Sequence, residues 1–137
     1  MTNKPLRVII DTNLLISFLI SNNYSKLDEP LESGKVLLLF GNELLAEFLQ
    51  VAKRPKFKKY FSPKSIEQLL DQFDEYADFV EVITMVDTCR DAKDNFLLSL
   101  AVDGSADFLI TGDQDLLIMK EYSKTKIITL SEFLTLV

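Results

Sequence analysis

The sequence predicts an α/β domain with a central parallel sheet of about five strands between two layers of helices. Three observations lead there. Apolar segments of strand length alternate with segments of helical length along the 137 residues. The strand segments are continuous apolar runs, as in parallel strands buried on both faces, and do not alternate in polarity. No repeat, low-complexity tract or long linker interrupts the order, so one domain covering 1–137 is expected.

"LRVII" (6–10) is the first strand, and its β-branched Val8, Ile9 and Ile10 suit a buried pleat. "NLLISFLI" (13–20) reads as a helix that "SNNYS" (21–25) ends. "KLDEPLESG" (26–34) is a short helix or turn holding Pro30 and closing on Gly34, and "KVLLLF" (35–40) is a second buried strand. "NELLAEFLQVAK" (42–53) is a helix stopped before Pro55. The run 62–77 is another, with Ser62 as its cap and Pro63 in its first turn. "FVEVI" (79–83) is expected as the third strand and "KDNFLLSLAVDG" (93–104) as a helix ending on Gly104. "DFLIT" (107–111) and "KIIT" (126–129) are the last two strands, "DQDLLIMK" (113–120) a helical turn, and "LSEFLTLV" (130–137) the closing helix.

The composition excludes several chemistries. There is no histidine, so a Ser-His-Asp triad, a histidine base and histidine-ligated zinc are all ruled out. The lone cysteine, Cys89, permits no intrachain disulfide and fits a reducing compartment. The net charge is −6, so a nucleic-acid role requires a local basic patch or bound cations. The first apolar run stops at Asp11 without a cleavage site, and no stretch reaches the roughly 18 apolar residues of a membrane span. A cytoplasmic, membrane-free protein is expected.

Ligands in open parallel sheets bind beyond the carboxyl ends of the strands. Asp11 follows the first strand there, and Asp113 follows "FLITG". Glu47 falls at the boundary of the apolar arc of its helix, beside Val51. Asp94 opens a helix that is apolar almost all round and lies between Leu98 and Ala101 on its wheel, where an ionised carboxylate needs a partner. Asp91 lies just upstream. Acids brought together repel and raise each other's pKa unless a cation compensates. With oxygen donors dominant, that cation is a hard one, Mg²⁺ or Mn²⁺. Such ions can activate water and stabilise the leaving oxygen in phosphodiester cleavage. Each acid also has a plainer use. Asp11 and Asp113 can cap the helices that follow them, Asp94 can favour its helix dipole, and Glu47 can be a solvated surface acid.

A basic run, "KRPKFKKYF" (53–61), follows the Glu47 helix. It offers Lys53, Arg54, Lys56, Lys58 and Lys59, interleaved with Phe57, Tyr60 and Phe61. The cations can neutralise phosphates while the aromatics stack on bases. The alternative is a solvated loop whose aromatics anchor it to the core.

Together, "VIIDTNLLIS", "NELLAEFLQVAKRPKF" and "CRDAKDNFLLSLAVDGSADFLITGDQDLL" resemble a bacterial PIN-domain protein, of the branch that supplies the toxins of toxin–antitoxin pairs and is related to the VapC ribonucleases. The resemblance runs through "IITLSEFL". It implies a Rossmann-like fold and a Mg²⁺- or Mn²⁺-dependent ribonuclease with an acidic set at Asp11, Glu47, Asp94 and Asp113. Asp94 is preferred to Asp91 as the third acid because it begins the helix and keeps its spacing to "FLITGD". Asn13, Thr111 and Asp115 match supporting polar positions. The resemblance also implies an antitoxin partner and often a homodimer. Two rivals stand beside it. One is a non-catalytic RNA-binding or protein-interaction module. The other is a phosphoacceptor domain, which would want two acids beside the first strand where "IIDTNL" offers one.

Overall fold

The computed structural model describes residues 4–20, 25–87 and 92–137. Its centre is a six-stranded sheet in the order β3-β2-β1-β4-β6-β5. These strands are β1 (Leu6–Ile10), β2 (Val36–Phe40), β3 (Ala77–Phe79), β4 (Phe108–Ile110), β5 (Glu121–Tyr122) and β6 (Thr125–Ile128). All neighbours pair in parallel except β5 and β6. The helices are α1 (Thr12–Ile20), α2 (Ser25–Glu32), α3 (Asn42–Ala52), α4 (Pro63–Tyr76), α5 (Ala92–Asp103), α6 (Gln114–Leu117) and α7 (Leu130–Leu134). The expected α/β class with a parallel centre is therefore the observed one.

The layering follows from the two-residue period of a strand. Within β2, Leu38 lines a cleft with Leu15 of α1, Leu31 of α2 and Leu69 of α4. Its neighbour Leu39 points the other way, toward the end of α5, where a Cβ built on Gly104 would lie 3.0 Å from Leu39 Cδ1 and 2.9 Å from the Leu100 carbonyl oxygen. α5 thus covers the face opposite α1, α2 and α4. β1 lies between β2 and β4, so Val8 and Ile9 are 0% exposed. Phe40, Phe48, Leu98, Leu109 and Phe133 fill the core on either side. Ser62 caps α4 as expected, accepting from the Ser65 N–H at 3.1 Å, with Pro63 following.

Two details differ from the expected elements. The third strand lies at Ala77–Phe79, not 79–83. It pairs Leu38 with Ala77 and Phe40 with Phe79, and Val80 N–H then donates to the Phe40 carbonyl. There β2 stops, because Gly41 precedes α3, and no ladder partner remains. The next amides find side chains of α5 instead: Ile83 and Thr84 donate to the Asp103 carboxylate, and Val86 donates to the Ser99 hydroxyl. Consequently Ile83 is 76% and Met85 93% exposed, despite the apolar sequence. The sheet also has six strands where about five were expected. β5 and β6 pair through Glu121 with Lys126 and Tyr122 with Thr125, so Ser123 and Lys124 form the turn. Ser123 takes φ 55° there without a glycine or asparagine to signal it.

Asp103 holds its segment by accepting from the Thr84 hydroxyl at 2.6 Å as well as from the two amides. The Thr84 contacts, then the Ile83 amide, pull its carboxyl below the usual 3.8. A depressed acid stabilises the fold above its unfolded pKa and loses that contribution as pH falls through the folded value. The Ile83 and Thr84 amide resonances should therefore titrate together with a midpoint below 3.8 in an NMR pH series. Resonances unmoved by acid, or a midpoint above that value, would contradict the role of Asp103.

Candidate active site

β1 and β4 place the first two acids. Their register pairs Ile10 with Ile110, so the next residues, Asp11 and Thr111, leave the sheet side by side. Asp11 N–H still donates to the Ile110 carbonyl at 3.0 Å, and Thr111 N–H to the Ile128 carbonyl at 3.1 Å, which fixes both backbones. The Thr111 hydroxyl, 1% exposed, donates to Asp11 Oδ2 at 2.8 Å and accepts from Asp113 N–H at 3.0 Å. One hydroxyl therefore links two acids from separate strands.

Burial pushes the Asp11 carboxyl above its usual range. The Thr111 hydroxyl opposes that shift, the Asp113 charge adds to it, and the amides of Thr12 and Asn13 oppose it more weakly. Those two amides are the capping contacts anticipated for Asp11 at the start of α1. Asp113 likewise caps α6, accepting from Asp115 N–H at 2.9 Å.

Glu47 is half-buried on α3, which packs beside α1. Its Oε2 accepts from the Thr12 hydroxyl at 2.8 Å, and Thr12 is 2% exposed. The Thr12 amide meanwhile contacts Asp11. A continuous chain of hydrogen bonds thus runs from Asp113 through Thr111 and Asp11 to Thr12 and Glu47. Asp94 stands in the first turn of α5 and is 7% exposed. α5 ends at the amino end of the sheet, where Asp107 N–H donates to the Arg7 carbonyl, so its first turn lies toward the carboxyl end. Among the described residues no three acids close into one cluster.

The supporting positions divide. Thr111 touches both strand-end acids. Asp115 is exposed and contributes only its amide to Asp113. Asn13 is exposed and contributes its amide to Asp11. Asp91 lies outside the described residues. Thr12 was overlooked because the hydroxyl beside Asp11 reads as part of a helix start; only the packing of α1 on α3 shows it reaching Glu47.

The donors suit a hard divalent ion. They are carboxylate and hydroxyl oxygens, and the Asp11–Asp113 pair is the one-or-two-carboxylate arrangement that Mg²⁺ takes along with water and substrate phosphate. No described ion pair neutralises the pair, since Arg7, the one cation in a described salt bridge, bonds Asp78 at 2.9 Å. Three concavities of the surface lie elsewhere. An apolar one of about 440 Å³ reaches Ile10 but none of the four acids. Apolar volume is not what binds a phosphodiester, and the acids mark the site better than the cavities do.

The basic run forms a turn at Pro55–Phe57 and continues to α4. Lys53, Arg54, Lys56, Lys58 and Lys59 are all exposed. Phe61 is buried edge-on against Phe48 with centroids 6.4 Å apart, and Phe57 packs on Phe61. Those rings anchor the loop. Tyr60 is 44% exposed, with Lys59 Nζ 5.0 Å from its ring centroid. Lys53 lies six residues beyond Glu47, about 9 Å along the α3 axis.

Residues 7–115 match the PIN domain, a span that holds all four acids and the basic run. An uncharacterised protein of Methanocaldococcus jannaschii, MJ1680, is 30% identical over 127 residues, covering 90% of this chain and 81% of that protein. The crystal structure of PAE2754 from Pyrobaculum aerophilum shares the fold at 17% identity, with a TM-score of 0.61 over 95% of this chain and 88% of that one. PIN domains are generally nucleases that use divalent metals and act on RNA or DNA. No described helix is long and apolar enough to cross a membrane. With its family match spanning the acids at the strand ends and the basic run alike, this chain belongs to the PIN-domain family.

Proposed function

We propose that the chain is a Mg²⁺- or Mn²⁺-dependent endoribonuclease acting as one PIN-like unit over 1–137, and that it is the toxin of a cytoplasmic toxin–antitoxin pair. The observation that carries the nuclease reading is the Asp11–Asp113 pair. Two acids that repel leave neighbouring strands side by side, Thr111 joins the Asp11 carboxylate to the Asp113 amide, and Asp11 is half-buried. Perturbed carboxyl groups cluster at functional sites, and a divalent cation would relieve the repulsion between these two.

Asp11 and Asp113 would hold the ion, with Glu47 and Asp94 completing the acidic set. When bound, the ion supplies charge neutralisation, an activated water and stabilisation of the departing oxygen. Thr111 would hold the Asp11 carboxylate beside the Asp113 backbone, while the amides of Thr12 and Asn13 orient the Asp11 carboxylate and that of Asp115 orients Asp113. Lys53, Arg54, Lys56, Lys58 and Lys59 would carry the RNA backbone past these acids, with Tyr60 available to stack on an unpaired base. A protein antitoxin would cover the cleft, and a homodimer fits the same reading.

Cleavage of single-stranded RNA by the purified chain tests this. Activity should require Mn²⁺ or Mg²⁺ and vanish with EDTA. RNA bound without metal dependence or cleavage would mark a non-catalytic binding module instead.

The basic run has its own test. If Lys58 and Lys59 each neutralise a phosphate, replacing both with alanine should lower the slope of log affinity against log salt by about 1.4 on single-stranded RNA. An unchanged slope would remove the run from the mechanism.

A further inference from the structure

We infer that Thr12, and not Asn13, is the positioning residue that sets the Glu47 carboxylate in the site. The inference rests on the nuclease reading and extends it to a residue outside the acidic set. Thr12 is 2% exposed, and its hydroxyl donates to Glu47 Oε2 at 2.8 Å. Its own amide contacts the Asp11 carboxylate. One residue therefore faces two acids that come from different layers, one at a strand end and one on a packed helix. Asn13, beside it, is exposed and contributes only its amide.

The consequence is chemical. A glutamate on a helix has three rotatable bonds and samples several rotamers. With Oε2 engaged by a buried hydroxyl, the choice of rotamers narrows and Oε1 is the oxygen left for a ligand. Glu47 then acts through one oxygen, at a position set by the start of α1. Because α1 starts directly after Asp11, any movement of Asp11 is passed to Glu47 through Thr12. Groups that orient ligand side chains typically cost 10–100-fold in metal affinity when removed.

Mn²⁺ titration by calorimetry of the whole chain tests this, using wild type, Thr12→Ser, Thr12→Val, Thr12→Ala, Glu47→Gln and the Thr12→Val/Glu47→Gln double variant. Thr12→Ser keeps the hydroxyl and should bind Mn²⁺ as wild type does. Thr12→Val, and Thr12→Ala if the valine variant does not fold, should bind about tenfold more weakly. The double variant should bind no more weakly than Glu47→Gln alone, since the hydroxyl then has no carboxylate to position. A merely structural Thr12 would instead weaken binding equally in both backgrounds, which would overturn the inference. So would wild-type affinity in both Thr12→Val and Thr12→Ala. A wild-type chain that binds no Mn²⁺ would overturn the nuclease reading itself, and this inference with it.

Discussion

Replacing Asp11 with asparagine is expected to stabilise the metal-free protein and to cut its cleavage of RNA by orders of magnitude. Burial and the Asp113 charge together hold the Asp11 carboxyl above its usual range, more strongly than the Thr111 hydroxyl and the two amides pull it down. The folded chain thus binds this proton more tightly than the unfolded chain. In the metal-free protein the group favours folding at low pH, and that advantage is lost as pH rises from the unfolded value of 3.8 through the folded one. At neutral pH the ionised carboxylate is a net cost. Asparagine removes the charge and keeps an amide oxygen for the cap, so a higher melting temperature than wild type is expected in EDTA. The Mn²⁺ effect has the opposite sign. With a ligand lost, cleavage should fall by about 10³-fold, equivalent to several kcal/mol of transition-state stabilisation. Thermal melts with and without Mn²⁺, together with a cleavage assay, check both halves. A variant that is less stable in EDTA, or one that cleaves at close to the wild-type rate, would contradict this account of Asp11.

Thr111→Val should be damaging on both counts. The valine has nearly the same shape but offers nothing to Asp11 Oδ2 or to the Asp113 amide, which Thr111 joins at 2.8 and 3.0 Å. Leaving a half-buried carboxylate and an amide short of partners costs about 1–3 kcal/mol. The two acids would also lose the group that aligns them, so cleavage should drop by at least tenfold. Thr111→Ser should restore both stability and activity. Chemical denaturation and single-turnover cleavage measure the two effects. The pair of predictions is diagnostic because Asp11→Asn and Thr111→Val should move stability in opposite directions while both reduce activity. A site in which the ionised Asp11 carboxylate stabilises the fold would move stability the same way in each.

The strand-end acids were legible because sheet topology constrains them. Asp11 directly follows a buried β-branched run and Asp113 comes two residues after "FLIT", so both have little choice but to sit at the carboxyl end of the sheet. Glu47 was legible as a boundary residue from its helical angle alone. What the sequence did not reveal depends on contacts between segments far apart in the chain. Thr12 reaches Glu47 only because α1 packs on α3. The third strand moved to Ala77–Phe79 because β2 ends at Phe40, a limit set by a neighbouring strand and not by "FVEVI" itself. β5 went unseen because Ser123 turns without the usual turn residues. In the basic run the two readings proved compatible: Phe57 and Phe61 anchor the loop, as the plainer alternative held, while the five cations remain exposed.

Anomalous scattering from a Mn²⁺-soaked crystal is the most direct test of whether these acids form a metal centre. The account predicts a peak bridging the carboxylates of Asp11 and Asp113, with Glu47 and Asp94 turned toward it. A crystal in which Mn²⁺ saturates other sites and leaves the space between Asp11 and Asp113 empty would contradict it.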